Sequence, residues 1–250
     1  MVHIRHLISS VDTSARERDF KNPNLFFPSA PRLRFQLLAL SLLLLAGFQS
    51  GPPKESGDFR QSDLVEITRL DPSIRLDIRY ATTNNFVHRP VYRQALAFLQ
   101  RPAAEALVRV NAGLKPKGYG LLVFDAYRPW SVTKIFWDMA SEEERKIGFV
   151  ANPQKSSRHN RACAVDLSLY DSQTGLEVPM PSIFDEFSER AFPKYGGGSA
   201  KARTMRDLLR VAMEAEGYTV YESEWWHFDY RNWRQYRTLD VPFEELSEKP

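Results

Sequence analysis

The chain has a single cysteine, Cys163, in 250 residues. An internal disulfide is therefore excluded, and so is any zinc site built from several thiolates. Histidine is scarce too, at five residues, so an imidazole site has few members to choose from. Charge of one sign is missing from most of the chain. Residues 1–60 hold eight Lys and Arg against five Asp and Glu, which leaves 26 of each over residues 61–250. The basic pI of about 8.9 thus belongs to the front end. A neutral body gives no electrostatic reason to expect nucleic acid as a partner. Internal repeats and coiled-coil heptads are also absent.

What is present is 43% hydrophobic and 26% charged residues, a balance suited to one globular domain with an appendage. The appendage lies at the N-terminus. Arg32 and Arg34 precede an uncharged apolar run, Phe35 to Phe48, which is shorter than the ~20 residues of a spanning helix. A basic flank before a short apolar core reads as the h-region of a secretory signal, or as a membrane anchor where it stays uncleaved. The preceding leader, residues 1–34, is long for a signal, as a misplaced start would make it. Residues 49–60 are Pro/Gly-rich and read as a linker, with the folded body over 61–250. On this reading the body lies outside the cytoplasm, or is held at the inner membrane by residues 35–48 alone.

Within the body, Ile74 to Tyr80 alternates apolar and charged residues, as a strand with one wet face does. Pro102 opens a helical pattern through Val110, with Gly113 and Pro116 as its stop. A strand is expected over Tyr119–Phe124, and a helix over Ser131–Ala140. In the strand Cys163–Leu169, period two places Cys163 among apolar residues and Asp166 on the other face. Met205, Leu208, Leu209, Ala212 and Met213 mark a helix closed by Gly217. Tyr218–Tyr230 reads as a final aromatic strand. Strands and helices mix without strict βαβ alternation, which gives an α+β fold with an antiparallel-type sheet.

Two separated segments carry the chemistry: Ser157-Arg158-His159-Asn160-Arg161-Ala162-Cys163-Ala164-Val165-Asp166 and Glu224-Trp225-Trp226-His227. His3 and His6 fall in the leader and His88 in a polar loop, leaving His159 and His227 as natural metal ligands. With Asp166 and Glu224 they supply two imidazoles, a carboxylate to complete a site, and a second carboxylate beside the last imidazole. A catalytic zinc needs three protein ligands, an open position for water and a base. A regular strand would point Glu224 and His227 to opposite faces, so both can serve one ion only if the strand ends, twists or bulges there. Arg128, before Pro129, is either a surface cation at a turn or a fixed cation beside the metal.

These residues, with Leu76-Asp77-Ile78-Arg79-Tyr80-Ala81-Thr82, Asp125-Ala126-Tyr127-Arg128-Pro129 and Phe184-Asp185, resemble the D-alanyl-D-alanine dipeptidase family of the zinc DD-peptidase superfamily. That family includes the vancomycin-resistance dipeptidase. The resemblance implies a single Hedgehog-like domain, its central, mostly antiparallel sheet flanked by helices, with one Zn2+ per chain. It further implies that His159, Asp166 and His227 hold the zinc, Glu224 is the general acid/base, and Arg128 stabilises the oxyanion. Tyr80 and Asp185 would receive the ammonium of a D-amino-acid dipeptide, and Ser157 its carboxylate end. Without the resemblance, Asp185 reads as a helix N-terminal or surface carboxylate.

Two positions depart from the family pattern, Ala162 and Pro181, each standing where the family has Gly. If the Gly at 162 has positive φ, Ala adds strain there. Neither departure touches a ligand or the base; both bear on substrate preference. Two other functions remain open at this point: a peptidoglycan carboxypeptidase or endopeptidase on the same site, and a wall-peptide-binding module without turnover.

Overall fold

The computed structural model describes residues 51–247, so the leader and the apolar run 35–48 lie outside the described residues. Among the described residues no helix is long and apolar enough to cross a membrane. In chain order the elements are β1 (Leu64–Glu66), α1 (Ile67–Leu70), β2 (Arg75–Leu76), β3 (Phe98–Gln100), α2 (Arg101–Leu114), β4 (Tyr119–Asp125) and α3 (Trp130–Met139). They continue with α4 (Glu142–Ile147), β5 (Ala164–Asp171), α5 (Ala200–Ala215), β6 (Tyr218–Tyr221), β7 (Glu224–Tyr230) and α6 (Phe243–Ser247).

The main sheet has the order β2-β4-β5-β7-β6. Only β2 and β4 run parallel; the other pairs are antiparallel. The α+β expectation therefore holds. β1 and β3 form a separate antiparallel pair. Central strand β5 is buried on both faces: Val165, Leu167 and Leu169 are enclosed, as is Cys163 just before the strand, and so are Asp166 and Ser168 opposite them. Cys163 is thus a small core residue, and burial pushes its thiol up to about 12. Asp166, by contrast, is a carboxylate placed in a core, which demands compensating charge.

Two local expectations differ. The strand expected over Ile74–Tyr80 pairs with β4 only at Arg75 and Leu76, and Arg79–Ala81 is a 3-10 turn. The charges that suggested a wet face are used locally, because Arg79 pairs with Asp77 at 2.7 Å and with Glu177 at 3.2 Å. That turn buries Tyr80. Helix α2 ends at Leu114, between the expected stops Gly113 and Pro116. The chain finally turns at Gly118, with φ +84°. Tyr218–Tyr230 is two strands of a hairpin, whose Glu222-Ser223 turn lacks the Gly or Pro that would have announced it.

The segment before β1 touches the body. Glu55 accepts from Thr238 N at 2.7 Å and pairs with the buried Arg161, and Arg60 N donates to Gln235 O at 2.8 Å.

Candidate metal centre

Strand register sets the first two members of the site. β5 and β7 pair so that Asp166 stands directly opposite His227. The third, His159, sits in a 3-10 turn, His159–Arg161, just before β5. That turn is tied down on several sides. Asn160 Nδ2 donates to Arg128 O and to Thr133 Oγ1, each at 2.8 Å, and Leu239 N donates to Asn160 O at 2.8 Å. Ala162 ends the turn in the left-handed region, with φ 55° and ψ 36°. The expected strain at this position is therefore real. Pro181, the other departure, does not line the site; its carbonyl accepts from Arg190 Nη2 at 2.9 Å.

Hydrogen bonds fix which nitrogen each imidazole offers. His159 Nδ1 lies 2.6 Å from Ala126 O, and a carbonyl can only accept, so Nδ1 carries the proton and Nε2 is bare. His227 Nε2 lies 3.0 Å from Asp229 Oδ1, which leaves Nδ1 bare by the same reasoning. These two bare nitrogens face each other at 3.1 Å. Asp166 adds Oδ1 at 3.0 Å from His227 Nδ1 and Oδ2 at 3.3 Å from His159 Nε2. Asp166 Oδ1 is buried and accepts no well-aligned hydrogen bond. Converging lone pairs at such distances repel unless a cation or a shared proton lies among them.

The donor set fits a metal ion. A tetrahedral zinc with bonds of about 2.0–2.1 Å holds its donors about 3.3 Å apart. Each imidazole is backed through its other nitrogen, the arrangement that orients metal-binding histidines. Among the described residues, His159, Asp166 and His227 are the group able to hold an ion. Their electrostatics agree. Burial raises the Asp166 carboxyl, but His159 and His227 outweigh it and hold the group well below the usual range. Burial opposes charge on His227, yet Asp229 and Asp166 raise its imidazole well above the ordinary value, so the cluster favours a positive charge at Nδ1, supplied by a shared proton or by an ion.

Glu224 reaches the same centre because the hairpin is irregular. The β6–β7 pairing matches Val220 with Phe228 and then Tyr221 with Glu224, so β7 carries three residues more than its partner over that step. Strict alternation is broken, and Glu224 Oε2 comes within 3.8 Å of His227 Nδ1. Burial pushes the Glu224 carboxyl up to about 7, against the pull of His227.

Arg128 is not a surface residue. It is 8% exposed, pairs with Asp125 Oδ2 at 2.8 Å, and lies 3.6 Å from Asp166 Oδ2. A bulge in β4 between Val123 and Asp125 places Asp125 opposite Asp166. Asp185 does not begin a helix: it sits in a loop with φ 60°, and both its oxygens lie about 3 Å from Tyr80 Oη. Burial, reinforced by Asp166, raises its carboxyl well above the usual range.

One cavity of about 410 Å3 gathers all eight candidates: Tyr80, Arg128, Ser157, His159, Asp166, Asp185, Glu224 and His227. Sequence reasoning missed the layer behind them. Asp125 holds Arg128, and it also accepts from Tyr92 Oη at 2.8 Å. Asp229 backs His227, and its place two residues further along a strand was the available signal. The exposed-loop reading of His88 is correct.

Residues 60–244 match the family described as D-ala-D-ala dipeptidase. A D-alanyl-D-alanine dipeptidase of Enterococcus faecium is 34% identical over 178 residues, covering 64% of this chain and 87% of that protein. One from Enterococcus faecalis is 33% identical, with 68% and 88% covered. One from Escherichia coli is 29% identical, with 67% and 84% covered. With the match spanning the whole of the site just described, this chain belongs to the D-Ala-D-Ala dipeptidase family and is a metallopeptidase.

Proposed function

We propose that the enzyme uses one Zn2+, held by His159, Asp166 and His227, to hydrolyse D-Ala-D-Ala or a closely related D-amino-acid dipeptide in cell-wall peptide metabolism. The observation that carries this reading is the pair of bare imidazole nitrogens 3.1 Å apart beside a buried carboxylate. When bound there, zinc would supply Lewis acidity toward the peptide carbonyl and the attacking water.

The protein's own groups divide the remaining work. Glu224, at the edge of the ligand cluster, takes the proton of the attacking water and returns it to the departing amine. Arg128 presents a fixed positive charge, held by Asp125, to the oxygen on which negative charge develops. Its guanidinium also lies 4.8 Å from the ring of Phe136, which limits its swing. Asp185 and Tyr80 form an acidic, hydrogen-bonded end wall for the substrate's ammonium. Ser157, on the turn leading to His159, lies toward the carboxylate end. A binding module has no need of a carboxylate and a guanidinium placed beside the ion, and this favours turnover.

Glu224→Ala tests the reading. The variant should retain one zinc per chain and lose about 10²–10⁴-fold in kcat. Near wild-type release of D-alanine from D-Ala-D-Ala by that variant would rule out the assigned mechanism.

A further inference from the structure

Ser157 can hydrogen-bond a carboxylate but cannot balance its charge, so the substrate's C-terminal end needs a cation. Four cationic side chains line the cavity: Arg128, Arg145, Lys155 and Arg158. Two are already engaged. Arg128 is paired with Asp125, and Arg145 donates to Trp137 O at 2.8 Å and to Asp138 O at 3.2 Å. Lys155 is exposed, and no other group fixes its ammonium among the described residues. Immobilising so flexible a side chain costs on the order of 1 kcal/mol or more.

Arg158 differs from the other three. Its Nε lies 3.4 Å from Asp229 Oδ2, buried but without a well-aligned hydrogen bond. Its guanidinium lies 5.0 Å from the ring of Trp233 and 5.9 Å from that of Tyr221. The side chain is thus held from behind while remaining 39% exposed, and neither Nη group has a hydrogen-bond partner among the described residues. A planar fork with both outer nitrogens free matches a carboxylate in bidentate geometry. It also stands between Ser157 and His159 in the chain, next to the group already assigned to that end of the substrate.

We propose that Arg158 is the receptor for the substrate's C-terminal carboxylate and makes a free C-terminus a requirement for cleavage. The inference rests on the dipeptidase reading above. Pairing with Asp229 gives Arg158 a second attachment, to the residue that backs His227, so a purely structural role must be separated from a binding role.

The test compares kcat/KM for D-Ala-D-Ala and for its C-terminal amide, using the full zinc-loaded chain as wild type, Arg158→Gln and Arg158→Lys. Wild type should prefer the free acid. Arg158→Gln should raise KM for the acid roughly 10- to 100-fold, the worth of a charged hydrogen bond, while leaving the amide and the zinc content unchanged. Arg158→Lys should recover part of the loss, because it keeps the charge without the fork. Equal losses on acid and amide, or loss of zinc, would show that Arg158 acts only through Asp229 and His227 and would overturn the proposal. An unchanged acid-to-amide ratio would overturn it as well. If the wild type cleaves neither compound, the dipeptidase reading falls first and takes this inference with it.

Discussion

Removing Asp229 should weaken metal binding without touching a ligand. In the folded chain Asp229 Oδ1 accepts a hydrogen bond from His227 Nε2 at 3.0 Å, which keeps Nδ1 aimed at Asp166 and His159. Both side chains are largely enclosed, at 10% and 14% exposure, so water is a poor substitute for the lost acceptor. In Asp229→Ala the ring can turn or take the other tautomer, and it no longer gains basicity from the carboxylate. Changes of this kind cost about 10- to 100-fold in metal affinity, or roughly 1.4–2.8 kcal/mol. Asp229→Asn keeps an acceptor oxygen but not the charge, and its loss should be the smaller of the two. The assay is zinc competition between the metal-free chain and a chromogenic chelator, with thermal unfolding of both metal-free variants as a control. Dissociation constants within threefold of wild type for both variants would refute the orienting role.

Arg128→Ala should lower kcat about 10²–10³-fold. It should also destabilise the fold by about 3–5 kcal/mol, because it strands the enclosed carboxylate of Asp125. Adding Asp125→Asn should recover stability in denaturant unfolding but not turnover; recovery of both would refute the oxyanion role. Ala162→Gly relieves a left-handed backbone worth roughly 1 kcal/mol and removes a buried methyl worth about 0.8 kcal/mol. The two nearly cancel, so denaturant unfolding should show stability within about 1 kcal/mol of wild type, and a loss above about 2 kcal/mol would contradict the strain argument.

The candidate ligands and base were legible in sequence because their chemistry is rare. Five histidines, two of them in the leader, leave little choice, and His159, Asp166, Glu224 and His227 do converge on one cavity. Their convergence itself was not legible. Alternation placed Glu224 and His227 on opposite faces, and only the irregular β6–β7 pairing brings them together. The partners behind the site were hidden for another reason. Asp125 and Asp229 are common residue types whose meaning comes from what packs against them, Arg128 and His227. The strand assigned to Ile74–Tyr80 failed because alternation cannot distinguish charges facing water from charges that pair with each other, as Arg79 does with Asp77.

The extra residues in β7 have a consequence for how this site can change over time. Asp166 and His227 face each other across a regular ladder, whereas Glu224 depends on the irregular step beside it. The candidate ligands Asp166 and His227 and the candidate base Glu224 are therefore set by two different pairings of β7, with β5 and with β6. Substitutions near Glu222 and Ser223 can displace the base while the ligand ladder stays intact. A descendant could then keep the metal and the peptide and lose the reaction, turning a hydrolase into a receptor without any change of fold.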